Sequence, residues 1–313
     1  MQTVSPPPTT FNFAQHLIAT NVARASKTAL IDDVGQMSYG QLAEQVRRLA
    51  GSLKALGLKR EERVLLLMHD SSDWVVAFLG ALYAGVVPVA VNTLLTADDY
   101  AFMLANSRAQ AALVSSALLP TLEAALTQAK TEVRQVVVSR PTSPLAEGQT
   151  NMAALIANHA PGAPAATLAD EPAFWLYSSG STGKPKGTVH TQGNLYWTAE
   201  LYGKGVLQLR ESDTVFSAAK LFFAYGLFMF GSYPIVEAAL MDAVPAAHSK
   251  GTRLAPRVAG AYIPAGNPQV PAVAGRAPII AAENLVASAG NTLWRLLSPS
   301  LYRPSKPSPR CRF

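Results

Sequence analysis

Apolar positions recur along residues 38–139 with two different periods, and the changes of period divide the segment into alternating helices and strands. Leu42, Val46, Leu49, Leu53 and Leu56 are spaced by fours and threes, one face of a helix. Ser38-Tyr-Gly-Gln41 opens that helix as a capping box, with hydroxyl and amide satisfying free N–H groups, and Gly57 closes it. Arg63 to His69 is then a short apolar run of strand length. The apolar stretch from Asp73 to Tyr83 predicts a second helix ending at Gly85. Val86–Val91 is β-branched but interrupted by Pro88, which predicts an edge or irregular strand. Thr96-Ala-Asp-Asp99 opens a further helix, and Ala111–Ser115 and Val133–Ser139 read as strands.

Such alternation predicts an α/β domain with a parallel sheet covered by helices on both faces. Strands buried on both faces show continuous apolar runs, as these do. Residues 140–170 are rich in Pro, Ala and small polar residues and read as a surface excursion with one short helix near Met152–Asn158. Beyond about Leu227 the periodicity dissolves, and residues 242–313 hold ten prolines and two acids. The expected organisation is a flexible N-terminus (1–10), a patterned body (11–240) and a basic Pro/Ala/Arg-rich tail (241–313). Two readings of the tail stay open. It is either a disordered extension or the product of a change of reading frame near residues 228–240, since GC-rich DNA read out of frame yields Ala, Arg, Pro and Gly.

Charge refines this picture. The net charge of +6 suggests nucleic acid, yet nine of the 26 basic residues and two of the 20 acidic ones lie at or after Asp242. The body is therefore close to neutral, and no nucleic-acid partner is expected. Leu221 to Val236 is uncharged but broken by two glycines and a proline, too irregular for a membrane span. The N-terminus lacks a basic segment followed by an apolar one, so no secretory signal is expected. The one cysteine, Cys311, has no internal partner. A cytoplasmic protein is the expectation.

The candidate chemistry lies in one loop. Ala173-Phe-Trp-Leu-Tyr177 has a strand pattern and runs into Ser178-Ser-Gly-Ser-Thr-Gly-Lys-Pro-Lys-Gly187, with a helical stretch from about Asn194. Glycines let a backbone approach phosphate oxygens, hydroxyls and N–H groups donate to them, and lysines balance their charge. A loop between strand and helix would also place phosphate near a helix N-terminus. The spacing is not that of a Walker A loop.

YSSGSTGKPKG resembles the signature phosphate loop of the acyl-adenylate-forming superfamily of acyl-CoA synthetases, adenylation domains and luciferases. Residues 78–100 (FLGALYAGVVPVAVNTLLTADDY) resemble the segment these enzymes carry before the loop, and residues 189–227 look most like the benzoate–CoA ligase group. The resemblance covers about residues 11–227. It implies the N-terminal part of the large adenylate-forming domain, and an ATP-dependent activation of benzoate or a similar aromatic acid to an acyl-adenylate and then an acyl-CoA thioester. It further implies that Ser178, Ser179, Gly180, Ser181, Thr182 and Gly183 wrap the β- and γ-phosphates of ATP. Lys184, Lys186 and Gly187 complete that loop. Ala224, Tyr225 and Gly226 would line the acid pocket, and His190 would support the phosphate or acid site. The implied small molecules are ATP, Mg²⁺, CoA and the aromatic acid. Another aryl or fatty acid, or a non-catalytic phosphate- or protein-binding role, remain as alternatives.

After residue 227 no Thr-Glu motif for Mg²⁺, no ribose-binding Asp and no catalytic lysine of a C-terminal lid domain can be read. No catalytic or metal-ligating residue is therefore assigned, and a truncated, inactive chain is the expectation. The acid and the oligomeric state are not fixed.

Overall fold

The computed structural model describes residues 4–178, 184–211, 214–216, 220–224, 226–227, 237–239, 261–263 and 280–281. Helix α1 (Phe13–Thr20) is followed by a hairpin of β1 (Thr28–Asp32) and β2 (Gly35–Ser38). Then come α2 (Tyr39–Ala55), β3 (Arg63–Leu67), α3 (Ser72–Ala84), β4 (Val87–Ala90), α4 (Ala97–Ser107) and β5 (Ala111–Ser115). The chain continues through α5 (Leu119–Gln128), β6 (Gln135–Ser139), β7 (Gln149–Asn151), α6 (Met152–Ala157), β8 (Pro172–Ser178), β9 (Lys186–Thr191) and α7 (Gln192–Trp197). Four short strands follow: β10 (Thr214–Phe216), β11 (Glu237–Ala239), β12 (Ala261–Ile263) and β13 (Ile280–Ala281).

Seven strands in the order β7-β6-β5-β3-β4-β8-β9 form one sheet, parallel except for the last pair. Helices cover both of its faces, which is why its strands read as unbroken apolar runs. Along β3, Val64 and Leu66 join a core shared with α1, α2, α3 and α6, while Leu65 and Leu67 join a second core beneath α4 and α5. All four are fully buried. The α/β architecture read from the periodicity is the observed one. A second, mixed sheet has the order β13-β12-β10-β11-β1-β2, with β1, β11 and β10 parallel to one another.

Local signals account for the helix ends. Ser38 and Gln41 form the capping box of α2, and Thr96 and Asp99 form that of α4. Gly85 ends α3 at φ +72, a conformation that costs glycine little.

Three expectations are corrected. The Val86–Val91 strand is central rather than at an edge, lying between β3 and β8. The amide of Val87 bonds the Glu62 carbonyl and that of Val91 bonds Leu66, both towards β3. By alternation Pro88 turns its missing N–H towards β8, where pairing begins one residue later at Val89. Second, the 140–170 excursion contributes β7 to the sheet edge besides its helix. Third, strand β9 intervenes between the phosphate loop and α7, so the loop closes a hairpin and does not open a helix. Strands β12 and β13 fall within 241–313.

Candidate functional site

The loop is mounted on the β8–β9 hairpin, whose last described pair is Ser178 with Lys186. Alternation along β8 anchors it on two sides. Phe174 and Leu176 enter the α1–α3 core, and Trp175 and Tyr177 pack towards α4 and α5. Tyr177, the last residue before the loop serines, donates its hydroxyl to Asn106 Oδ1 of α4 at 2.6 Å. Burial pushes its pKa up to about 12, so it remains a donor at ordinary pH. On the returning side, Lys184 Nζ stands 5.5 Å from the centre of the Phe102 ring, also on α4. Both stems of the loop therefore dock on one helix. Ser178, Lys184, Lys186 and Gly187 are exposed. Ser179, Gly180, Ser181, Thr182 and Gly183 lie outside the described residues.

His190 pairs across the hairpin with Phe174, and their rings stack 4.6 Å apart at 5°. Burial lowers its pKa, so the ring is neutral at pH 7. The aromatic series continues from Phe174 to Phe78 (5.3 Å, edge-on) and from Phe78 to Trp74 (5.1 Å, stacked).

The acid segment returns to the same core. Leu221, Phe222 and Leu227 are buried in the same hydrophobic core that Phe174 and Leu176 of β8 enter. Gly226 is buried, whereas Phe223 and Ala224 face outward. Tyr225 lies outside the described residues. At the start of the segment the Leu221 amide donates to Asp70 Oδ1 at 3.1 Å.

A separate crevice of about 320 Å³ opens at the carboxyl ends of β3, β5 and β6, lined by Asp33, His69, Ser71, Ser115, Ser116, Ser139 and Arg140. β3 continues to β4 on one side and β5 to β6 on the other, so this is a topological switch point, the usual place for a ligand in such a sheet. Its polar groups bind one another. Arg140 reaches Asp32 at 2.8 Å, Asp33 at 3.1 Å and Asp73 at 3.5 Å. Ser139 donates to Asp73, Ser116 bonds Thr142, and Ser115 accepts the His69 amide. The crevice is a joint between the β1–β2 hairpin and the larger sheet.

Asp70, Phe102 and Asn106 were not legible as site residues. Asp70 follows an apolar strand, a weak signal; the two α4 residues belong to an ordinary amphipathic helix. Among the described residues no group of three His, Cys, Asp or Glu side chains could hold a metal ion, so no residue is assigned to Mg²⁺. Of the residues expected to form the phosphate loop, Ser178, Lys184, Lys186 and Gly187 are among the described ones.

Comparison with known proteins follows the same lines. The family described as AMP-binding enzyme matches residues 19–251. A benzoate–CoA ligase of Thauera aromatica is 47% identical over 224 residues, 70% of this chain and 41% of that protein. The crystal structure of a benzoate CoA ligase from Burkholderia xenovorans superposes with a TM-score of 0.68 at 50% identity, covering 75% of this chain and 47% of the other. An anthranilate CoA ligase in complex with anthranoyl-AMP gives 0.71 at 32% identity, with 75% and 46% covered. The chain thus spans less than half the length of these relatives.

Proposed function

Since the chain belongs to the family of AMP-binding enzymes, we propose that its loop and acid segment serve an ATP-dependent ligase acting on benzoate or a close aromatic acid. In this reading the acid carboxylate attacks the α-phosphorus of ATP and pyrophosphate leaves. The thiol of CoA then displaces AMP to give the acyl-CoA thioester. Ser178 to Gly183 wrap the β- and γ-phosphates, Lys184 and Lys186 offset their charge, and Gly187 completes the loop. Such chemistry is mostly positioning and charge stabilisation, with Mg²⁺ supplying further positive charge. Ala224, Tyr225 and Gly226 line the acid pocket, small residues beside an aromatic wall suiting a flat ring. His190, neutral and stacked, supports the hairpin behind the loop.

The observation that carries this reading is the docking of both loop stems on α4 while two lysines remain exposed, with the acid segment buried in the core that β8 also enters. The aromatic acids named for the relatives favour benzoate or anthranilate over a fatty acid. Use of ATP and CoA places the reaction in the cytoplasm. Residues 11–240 form the binding body, and 1–10 and 241–313 flank it.

Calorimetric titration of the 313-residue chain with ATP and with benzoate, followed by ATP–pyrophosphate exchange, tests the proposal. Absence of ATP binding would sink it, and preference for a fatty acid over benzoate would shift the substrate class. Binding of both ligands with exchange at background is the result expected of a chain that spans less than half the length of its relatives, and measurable exchange would overturn the expectation of an inactive chain.

A further inference from the structure

We infer that Asp70 is a positioning residue for the acid segment: its buried carboxylate fixes the start of the Lys220–Leu227 turn and so sets where Ala224 to Gly226 meet an aromatic acid. The inference rests on the reading of that segment as the acid pocket.

Asp70 is 2% exposed, at the carboxyl end of β3, and a carboxylate in that position requires partners. Its Oδ1 accepts the Leu221 amide at 3.1 Å across 151 residues of sequence, and its Oδ2 lies 4.0 Å from Lys220 Nζ. It is not needed to start the neighbouring helix, because Ser71 caps α3 by accepting the Trp74 amide. Among the described residues, backbone bonds run within the segment from the Phe223 amide to the Lys220 carbonyl (3.0 Å) and from the Leu227 amide to the Phe223 carbonyl (2.9 Å). Leu221, Phe222 and Leu227 supply apolar burial, which is non-directional and sets depth without setting rotation. The Asp70 bond is directional and fixes which side chains face outward, here Phe223 and Ala224. Lys220 offsets the aspartate charge, so an incoming carboxylate does not meet an unbalanced anion.

The test uses the full 313-residue chain, with Asp70→Ala and Asp70→Asn compared with the wild type. Benzoate and ATP affinities are measured by separate calorimetric titrations, and hydrogen exchange is followed at the Leu221 amide. Losing the acceptor should weaken benzoate binding about tenfold in Asp70→Ala, leave ATP affinity within about twofold and strip protection from Leu221. Asp70→Asn retains an acceptor oxygen and should stay within about threefold for benzoate, with Leu221 still protected. Unchanged benzoate affinity in Asp70→Ala, an equal loss of both ligands, or an asparagine variant as weak as the alanine one would overturn the inference. Should Asp70→Ala fail to fold, Asp70→Ser, too short to reach the Leu221 amide, takes its place with the same expectations. If the wild type binds no benzoate, the acid-pocket reading fails, and Leu221 protection alone decides whether Asp70 holds the turn.

Discussion

Two polar clusters stand at the carboxyl ends of one seven-stranded sheet and treat charge in opposite ways. At the ends of β3, β5 and β6, Arg140 is enclosed by Asp32, Asp33 and Asp73, and the nearby serines bond within the same group. Beyond β8, Lys184 and Lys186 project into solvent, and Lys184 rests on the face of an aromatic ring. By topology the first cluster occupies the better ligand position; by chemistry the second does. Strand order brings polar residues together, but whether they await a ligand depends on how much of their charge is already balanced. The Arg140 cluster therefore acts as a structural joint, whereas the loop, on the function proposed above, is the receptor for anions.

The sharpest test of that contrast is Arg140→Ala. Asp32, whose side chain is 2% exposed, would remain buried without its cation. Removing one partner of such a pair costs about 3 kcal/mol, the low end of the usual range because Arg140 itself is about a third exposed. Urea denaturation should show the destabilisation, while ATP affinity of the folded fraction stays within about twofold. A large loss of ATP affinity in the folded variant would contradict the division into joint and receptor.

Acid probes the same joint. Burial alone would raise the pKa of Asp32, but the Ser72 amide and hydroxyl together with Arg140 hold it below the ordinary carboxylate value. With a folded-state pKa below the unfolded one, the stabilisation is fully present above about pH 4 and is lost as pH falls through the lower folded value. Unfolding free energies measured from pH 7 downward should fall below that point. The acid-dependent loss should be smaller in Arg140→Ala, which has already given up the interaction. A variant with an undiminished acid response would place the titration elsewhere.

The contrast also shows where sequence reading works and where it stops. Helix α2 was legible because its stripe of leucines, its capping box and Gly57 are local and agree with one another. The β8 strand that leads into the loop was legible because Ala173-Phe-Trp-Leu-Tyr177 is a continuous run of strand-forming residues. Strand β4 was misread as an edge because which neighbour a strand amide faces is a property of the sheet, and Pro88 fell where pairing with β8 had not begun. Strand β9 was missed because Lys-Gly-Thr-Val-His-Thr has one strongly apolar residue and owes its form to pairing with β8. Asp32 and Arg140 lie 108 residues apart, and Asp70 and Leu221 151, so no window of sequence joins them.

On the receptor side, Lys184→Ala should weaken ATP binding about fivefold, the value of about 1 kcal/mol expected for an exposed charged contact. Chain stability should change by less than about 0.5 kcal/mol, since an exposed cation–π contact contributes little. Phe102→Leu separates the two roles: it preserves packing against the α4 core, removes the ring face, and should leave ATP affinity within about twofold. If Phe102→Leu weakened ATP binding as much as Lys184→Ala, the ring would be setting the lysine for phosphate, not merely carrying it. Calorimetric ATP titration of both variants decides.

The smallest expected effect is at Tyr177, where the loop stem meets the α4 scaffold. Its hydroxyl ties the last residue before the loop serines to Asn106, and Tyr177→Phe removes that bond without changing the shape of the ring. Water can reach Asn106, so the stability loss should be below about 1 kcal/mol. ATP affinity should fall by about twofold, through a looser stem and not through a lost phosphate contact. The pH dependence separates this from a charge effect. Burial raises the tyrosine pKa from 10.0 to about 12, so its stabilisation is complete below pH 10 and lost only as pH rises towards 12. The stability difference between wild type and Tyr177→Phe should therefore be flat from about pH 5 to 9, a range that spans the ordinary histidine but not the tyrosine pKa. A difference that grew or shrank across that range would mean that the hydroxyl answers to a titrating neighbour such as a loop side chain, and the stem would then belong to the receptor chemistry and not to the scaffold.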